Sequence, residues 1–377
     1  MMGGMEMHKK IALAGPDITQ KEVEYVVDAV KNGWYETYDM HIKRLEKTFA
    51  EYVGAQYAIA TYCGTHALDL ATIALGLKEG DEVIVTDQSY IATAQAVSYV
   101  GAKCVFVDID PETLCIDPAL IENAVTDRTK AIMLVHFAGM AADMDAIMQI
   151  ASRHRLKVIE DACQLVGGKY KNQYVGTIGD IGAFSFQGAK IAVGGEGGMF
   201  VTNDEALYKR ALHYGTFCRN DAISYLWSDD VGYNYRISNV TAALILAQVE
   251  RIEELIHKKK NIYEWYHKYL TNCKSIKLLN INQDCQSNYA YVVGYITDES
   301  KISRDRLVKE LLDKNIFVRP GYPSMSAMPN YERRFEVPFS ERYWKEGLVF
   351  PTALNLSEED IKYVCKEVKE IMEGKVL

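Results

Sequence analysis

No run in the 377-residue sequence approaches the roughly eighteen consecutive apolar residues of a membrane-spanning helix, so an α-helical span is excluded. The start, Met-Met-Gly-Gly-Met-Glu-Met-His-Lys-Lys, lacks the apolar core of a secretory signal peptide. No Cys-x-x-Cys pair occurs among the eight cysteines, which are scattered at positions 63, 104, 115, 163, 218, 273, 285 and 365. Zinc and a disulfide framework are both disfavoured, and reduced thiols in a cytoplasmic protein without a metal are expected. No block of like charge stands out either, since 42 basic against 51 acidic residues leave a net charge of -9 spread along the chain. Neither nucleic acid nor an anionic membrane suits such a chain as partner, although a local basic pocket for a phosphorylated substrate stays open. Internal repeats and low-complexity segments are absent.

What the sequence does contain is an alternation of short apolar runs with helical patterns, the mark of a parallel sheet covered by helices. The runs 57–61, 82–86, 103–107, 131–135, 157–161, 182–186 and 198–202 predict a mostly parallel seven-stranded α/β sheet with helices on both faces. Between them, 119–125 and 144–154 carry apolar residues at helical spacing. From Val240 to Tyr269 the pattern is that of one or two long amphipathic helices, and after it 288–296, 302–314 and 315–318 predict strand, helix, strand, with a closing helix over 358–372. The length exceeds what one hydrophobic core usually supports. Residues 1–250 are therefore expected to form a large domain and 251–377 a small α+β domain, with the N-terminal segment at a domain edge or on a dimer partner.

Ligands of open parallel sheets bind beyond the carboxyl ends of the strands. There, Val158-Ile-Glu160-Asp161 ends one apolar run, and Gly182-Ala-Phe-Ser185-Phe-Gln-Gly-Ala-Lys190 carries a lone lysine up to the cluster Gly194-Gly195-Glu196-Gly197-Gly198. These are the parts that hold pyridoxal phosphate: Asp161 against the pyridinium nitrogen, keeping it protonated so that the ring accepts electrons, and Lys190 as the Schiff-base amine and general base. A base in that role works best with its pKa drawn toward neutrality, which burial and the ring could supply. Cys63-Gly64-Thr65-His66 opens a helical pattern directly after the first strand, and the amides of such a start plus the Thr65 hydroxyl suit the cofactor phosphate. Ser185 lies close enough in sequence to reach the same phosphate. His66 and His136 are read as satisfied polar residues and stay outside the catalytic set.

Glu160-Asp161-Ala-Cys-Gln164, Phe184-Ser-Phe186 with Lys190, and Gly195-Glu-Gly-Gly198 resemble the DegT/StrS family of sugar aminotransferases, which have the fold-type-I architecture. The resemblance resumes at Cys63-Gly-Thr-His-Ala-Leu68, Ser89-Tyr-Ile-Ala-Thr93 and Gly232-Tyr-Asn-Tyr-Arg236, and runs from about Gly15 to Leu356 in the family's order. It implies phosphate binding at Gly64 and Thr65, an aromatic stack of Tyr90 on the cofactor ring, and a hydrogen bond from Gln164 to the ring hydroxyl. It also implies that Asn234 reaches the cofactor of the partner subunit, so that a homodimer shares its active sites.

The family implies glutamate or glutamine as amino donor and a keto sugar as acceptor, in making an amino sugar for surface polysaccharide or a secondary metabolite. Arg319-Pro-Gly-Tyr322-Pro-Ser-Met325 is similar to the equivalent region of the GDP-perosamine synthases, which makes Arg319 and Tyr322 candidate substrate contacts and a nucleotide-linked 4-keto-6-deoxyhexose the expected acceptor. Two departures keep a free keto sugar acid or an aminocyclitol precursor in play. The loop after Gly33-Trp34 lacks the glycine usual in the sugar-nucleotide members, and Gln187 stands where many of them have His or Tyr. A dehydratase of the same fold would carry histidine in place of Lys190.

Overall fold

Segments such as Glu82-Val-Ile-Val-Thr86 are buried on both faces, as strands must be when helices cover a parallel sheet from either side. The computed structural model describes residues 9–374. Most of the stretch read for a signal peptide, residues 1–8, lies outside them. The strands in chain order are β1 (Tyr57–Thr61), β2 (Glu82–Thr86), β3 (Lys103–Val107), β4 (Thr129–Val135), β5 (Lys157–Asp161), β6 (Lys169–Tyr170), β7 (Gln173–Tyr174), β8 (Ile181–Ser185) and β9 (Gly198–Thr202). Seven of these make one sheet in the order β1-β9-β8-β5-β4-β2-β3. Only β9 runs against its neighbours, and the other pairings are parallel. Strand β4 begins at Thr129, two residues ahead of the sequence expectation, β8 is shifted one residue back to Ile181–Ser185, the other five keep the expected ends, and β6 and β7 were not expected.

The helix Gly64–Leu75 follows β1 and is buried along most of its length, because Ala67-Leu-Asp-Leu-Ala-Thr-Ile-Ala74 is apolar nearly all round. It packs against β8 and β9 in a core that includes Leu68, Ala71, Ile159, Ala183 and Phe200. The opposite face holds a larger core around Phe49, Phe184 and Phe186, with Phe49 edge-on to both other rings.

After the helices Asn239–Val249 and Ile252–Leu270 come β10 (Ile276–Leu278), β11 (Cys285–Gln286), β12 (Val292–Ile296), β13 (Arg319–Pro320) and β14 (Gly347–Phe350). A second sheet has the order β10-β12-β14-β13, while β11 leaves it to extend the β6–β7 hairpin. Here the sequence expectation needs correction. The strand expected over 288–296 begins only at Val292, since Asn288 turns its side chain onto the Val166 carbonyl and Tyr289 adopts a left-handed backbone. None of 315–318 enters the second sheet: Ile316 instead bridges Ile11, and the strand there is Arg319–Pro320, just beyond the expected range. Residues 11–15 thus lie against the small sheet, and the amides of Thr352 and Leu354 donate to the Leu13 and Gly15 carbonyls.

Between β13 and β14 the chain returns to the large sheet. Asp87, just past β2, accepts from the Ser324 hydroxyl at 2.5 Å and the Ser326 amide at 2.7 Å, and Asp108, past β3, accepts from the amides of Phe339 and Ser340. These carboxylates anchor the segments around Ser324 and Ser340 to the large sheet, and Gln88 Nε2 donates to the Tyr322 carbonyl at 3.0 Å. Among the described residues no helix is long and apolar enough to cross a membrane.

Candidate active site

A cavity of about 420 Å³ opens where β1, β2, β5 and β8 end, and Gly64, Thr65, Tyr90, Asp161, Gln164, Ser185, Lys190, Arg319 and Tyr322 all line it. One sequence candidate lies elsewhere. Asn234 is exposed, bridges Thr216 through its backbone and does not border this cavity.

Each lining residue is delivered by a specific backbone feature. Asp161 is the last residue of β5 and is nearly buried, at 4% exposure. Thr93 donates its hydroxyl to Oδ2 at 2.8 Å and the Cys163 amide donates to Oδ1 at 3.1 Å, so the carboxylate is oriented before any ligand arrives. Gln164 accepts from the Ala138 amide through Oε1 at 3.1 Å, which leaves its amide nitrogen to donate into the cavity. Lys190 closes a tight turn: its amide donates to the Gln187 carbonyl at 2.8 Å, while the Gln187 side chain accepts from the Ala189 amide at 2.9 Å.

The helix Gly64–Leu75 starts at Cys63, whose extended backbone is followed by a first turn that no side chain caps. Its leading amides are therefore free for an anion. A side chain at residue 64 would have no room, since a Cβ there would stand 2.9 Å from Ser185 Cβ and 3.0 Å from Cys163 Sγ. That close approach sets the helix start directly against Ser185 at the end of β8. Arg319 holds its guanidinium 4.4 Å from the Tyr322 ring centre, with a buried Nε that has no partner. Tyr90 is largely exposed and meets the Tyr322 ring edgewise at 6.3 Å.

The electrostatics of Lys190 set burial against its neighbours. Burial disfavours its ammonium, but the acidic groups of Tyr291, Cys163, Tyr322 and Asp161 outweigh burial and hold its pKa above the ordinary lysine value. The surrounding side chains thus favour the protonated amine. Burial pushes the Cys163 thiol well above its usual range.

Sequence reading missed two residues. Thr93 ends the quoted motif Ser89-Tyr-Ile-Ala-Thr93, where its one-turn spacing from Ser89 was the available signal; its hydroxyl also lies 3.2 Å from Ser89 Oγ. Tyr291, whose hydroxyl is 3.5 Å from Lys190 Nζ, belongs to a tyrosine-rich stretch with no distinguishing pattern. The two histidines separate. His136 accepts the Ala142 amide on Nδ1 and bonds Glu160 through Nε2, whereas His66 stacks on Tyr235 with ring centres 3.9 Å apart and an unpartnered Nδ1.

This constellation fits pyridoxal phosphate: uncapped amides beside a serine hydroxyl for a phosphate, a pre-oriented carboxylate, an amide donor and a lysine share one cavity. Comparison with known proteins agrees. The DegT/DnrJ/EryC1/StrS aminotransferase family matches residues 16–369. A GDP-perosamine synthase of Escherichia coli is 38% identical over 371 residues, covering 97% of this chain and 100% of the relative. An aminotransferase of Psychrobacter cryohalolentis superposes with a TM-score of 0.89 at 31% identity, over 96% of this chain and 98% of that one. A Streptococcus pneumoniae protein solved in its PLP form superposes with a TM-score of 0.91 at 25% identity, over 98% of this chain and 100% of that one. The chain belongs to the DegT/DnrJ/EryC1/StrS family and is an aminotransferase that works with pyridoxal phosphate.

Proposed function

We propose that the enzyme moves an amino group from glutamate or glutamine to a nucleotide-linked 4-keto-6-deoxyhexose, in the cytoplasm and as a homodimer with shared sites. The observation that carries this reading is the meeting of Lys190, Asp161, Gln164 and the Gly64–Thr65 helix start in one cavity that Arg319 and Tyr322 cover from the small sheet. The GDP-perosamine synthase likeness over nearly the whole chain supports the acceptor class. Gln187, one of the two departures that kept free keto acids in play, lines the cavity and accepts from the Ala189 amide through its side-chain oxygen, so its amide nitrogen stays available to a substrate. In this reading the division into residues 1–250 and 251–377 separates the cofactor platform from its cover.

Bound pyridoxal phosphate supplies the electron sink and carries the amino group between donor and acceptor. Lys190 would hold it through its amine and would serve as the base that moves the proton at the substrate carbon. Asp161 keeps the ring nitrogen protonated, while Gln164 donates to the ring hydroxyl. Gly64, Thr65 and Ser185 hold the phosphate, with Tyr90 against the ring. Arg319 and Tyr322, which line the cavity, would contact the substrate. The dimer reading draws support from large apolar side chains in water: Tyr35 is 89% exposed, and Tyr225 and Val231 are each 80% exposed in the segment leading to Asn234.

The test is amination by pyridoxamine-loaded enzyme of a GDP-linked keto-deoxyhexose, a TDP-linked one and a free keto-octulosonate, with products identified by mass. Amination of either nucleotide sugar supports the proposal. Turnover of the free keto acid alone would overturn the acceptor assignment.

A further inference from the structure

Lys190 comes from the large sheet, yet the one hydrogen bond of its amine among the described residues runs to the small one. Tyr291 stands directly before β12 and presents its hydroxyl 3.5 Å from Lys190 Nζ, within the same cavity. Its backbone is fixed from two sides. Asn288 donates to the Val166 carbonyl at 3.0 Å and accepts the Ala290 amide at 3.1 Å, which ties the approach to the loop after β5. The Ala290 carbonyl accepts from Thr352 Oγ1 at 2.9 Å and from the buried Lys259 amine at 3.4 Å, which ties it to the Ile252–Leu270 helix and the chain after β14. The segment that carries the Tyr291 ring is thus anchored on both sides of the cavity.

We propose that Tyr291 is a positioning residue for Lys190, whose hydroxyl accepts a hydrogen from the ε-amine and holds the amine over the cavity when it is not bonded to the cofactor. The proposal rests on the reading that Lys190 carries pyridoxal phosphate. Four groups act on that amine: Tyr291 and Tyr322 from the small sheet side, and Cys163 and Asp161 from the end of β5. Arg319 sits over Tyr322, and Glu196 lines the same cavity. Asp161 is the one carboxylate among the four. Without the Tyr291 hydroxyl, the amine keeps no hydrogen-bond partner among the described residues and is free to leave its place over the cavity. The hydroxyl also favours the ammonium, because an oxygen that accepts from N–H stabilises the charged form.

Tyr291→Phe removes the oxygen and keeps the ring. Cofactor-free wild-type and Tyr291→Phe proteins are mixed with pyridoxal phosphate across a pH series, and growth of the visible absorbance band gives the capture rate, which needs a neutral amine. The midpoint of that profile moves down in Tyr291→Phe by about one pH unit, and at neutral pH kcat with glutamate falls about tenfold while KM for glutamate stays unchanged. Tyr291→Trp, whose ring N–H donates but cannot accept, gives the same downward shift and serves as the reading if the Phe protein does not fold. Borohydride reduction and peptide mapping of each protein separate the two ideas. Label on a lysine other than Lys190 ends the underlying assignment, whereas label on Lys190 with an unmoved capture midpoint and unchanged kcat overturns the role of Tyr291.

Discussion

Thr93 donates its hydroxyl to Asp161 across 68 residues of sequence, at 2.8 Å and fully buried. The bond joins the helix after β2 to the end of β5, and with the Cys163 amide it leaves the carboxylate little freedom to turn. A carboxylate fixed before the ligand arrives loses no orientation freedom when it meets a ring nitrogen. Asp161→Asn should therefore retain the cofactor and lose about 100-fold or more in turnover, while Thr93→Val, which keeps the shape, should lose about tenfold. Steady-state kinetics on cofactor-saturated proteins checks both, and near-normal rates in Asp161→Asn would mean that the ring nitrogen has another partner.

Glu160, the neighbour of Asp161, does a different job. It has no exposure and accepts from the amides of Gly176, Ile178 and Gly179 at 2.7, 2.8 and 2.6 Å, with His136 Nε2 at 2.9 Å. Because His136 Nδ1 accepts the Ala142 amide, the proton sits on Nε2 and the ring is neutral. Glu160→Ala would strand several buried donors at once, each costing about 1–3 kcal/mol. A fall in the thermal midpoint of the cofactor-free protein by several degrees is expected. An unchanged midpoint would show that the 176–179 loop repacks without its carboxylate.

That contrast marks how far the sequence could be read. Strand ends were legible because parallel strands buried on both faces are dense in Val and Ile, as in Val158-Ile159 and Val83-Ile84-Val85. Asp161, Ser185 and Lys190 could be picked out because they sit at such ends or at the glycine-bounded turn, and all three line the cavity, whereas Tyr90, Gln164 and Asn234 came only from the family resemblance. Tyr291 was not legible, since its placement depends on Asn288 and Lys259 from distant segments, and no local pattern encodes that. The small sheet was read least well. Its β13 and β14 are short, and its pairing at Ile316 is taken over by Ile11, which lies some three hundred positions earlier.

Lys259 offers a pH test of the packing behind Tyr291. Its amine is buried, donates to Thr352 Oγ1 at 3.1 Å and to the Thr352 carbonyl, and has no carboxylate partner; burial pulls its pKa from 10.5 down to about 7. Above that value the folded protein holds a neutral amine while the unfolded chain still binds a proton up to 10.5, so stability gained from this group rises with pH between about 7 and 10.5. Below about 7 both states are protonated and the burial penalty is at its full size. Lys259→Met should remove that slope, so the wild-type melting temperature should gain on the variant as pH rises from 7 toward 10. A constant difference across the series would show that Lys259 is already charged in the fold.

In the proposed homodimer, Asn234 is the residue whose role depends on a second chain. It is exposed and away from its own cavity, but its flanks are anchored: Tyr233 stacks on Tyr235 at 4.7 Å, and Tyr235 stacks on His66 and donates to Asp69 at 2.5 Å. The neighbours of Asn234 are thus tied to the helix whose first turn holds Gly64 and Thr65, while Asn234 itself faces outward. If it serves the partner's phosphate, the lesions of Lys190→Ala and Asn234→Asp chains fall in different sites of a mixed dimer. A carboxylate placed beside a phosphate repels it, so the Asn234→Asp homodimer should be nearly inactive, as should Lys190→Ala. In a mixed dimer one site carries both lesions and the other carries neither. Co-refolding equal amounts makes half the dimers mixed, each with one intact site, and restores about a quarter of wild-type activity. Specific activity after co-refolding, with mixed dimers verified by differently tagged chains, decides the matter: no recovery would place Asn234 in the service of its own subunit and end the shared-site reading.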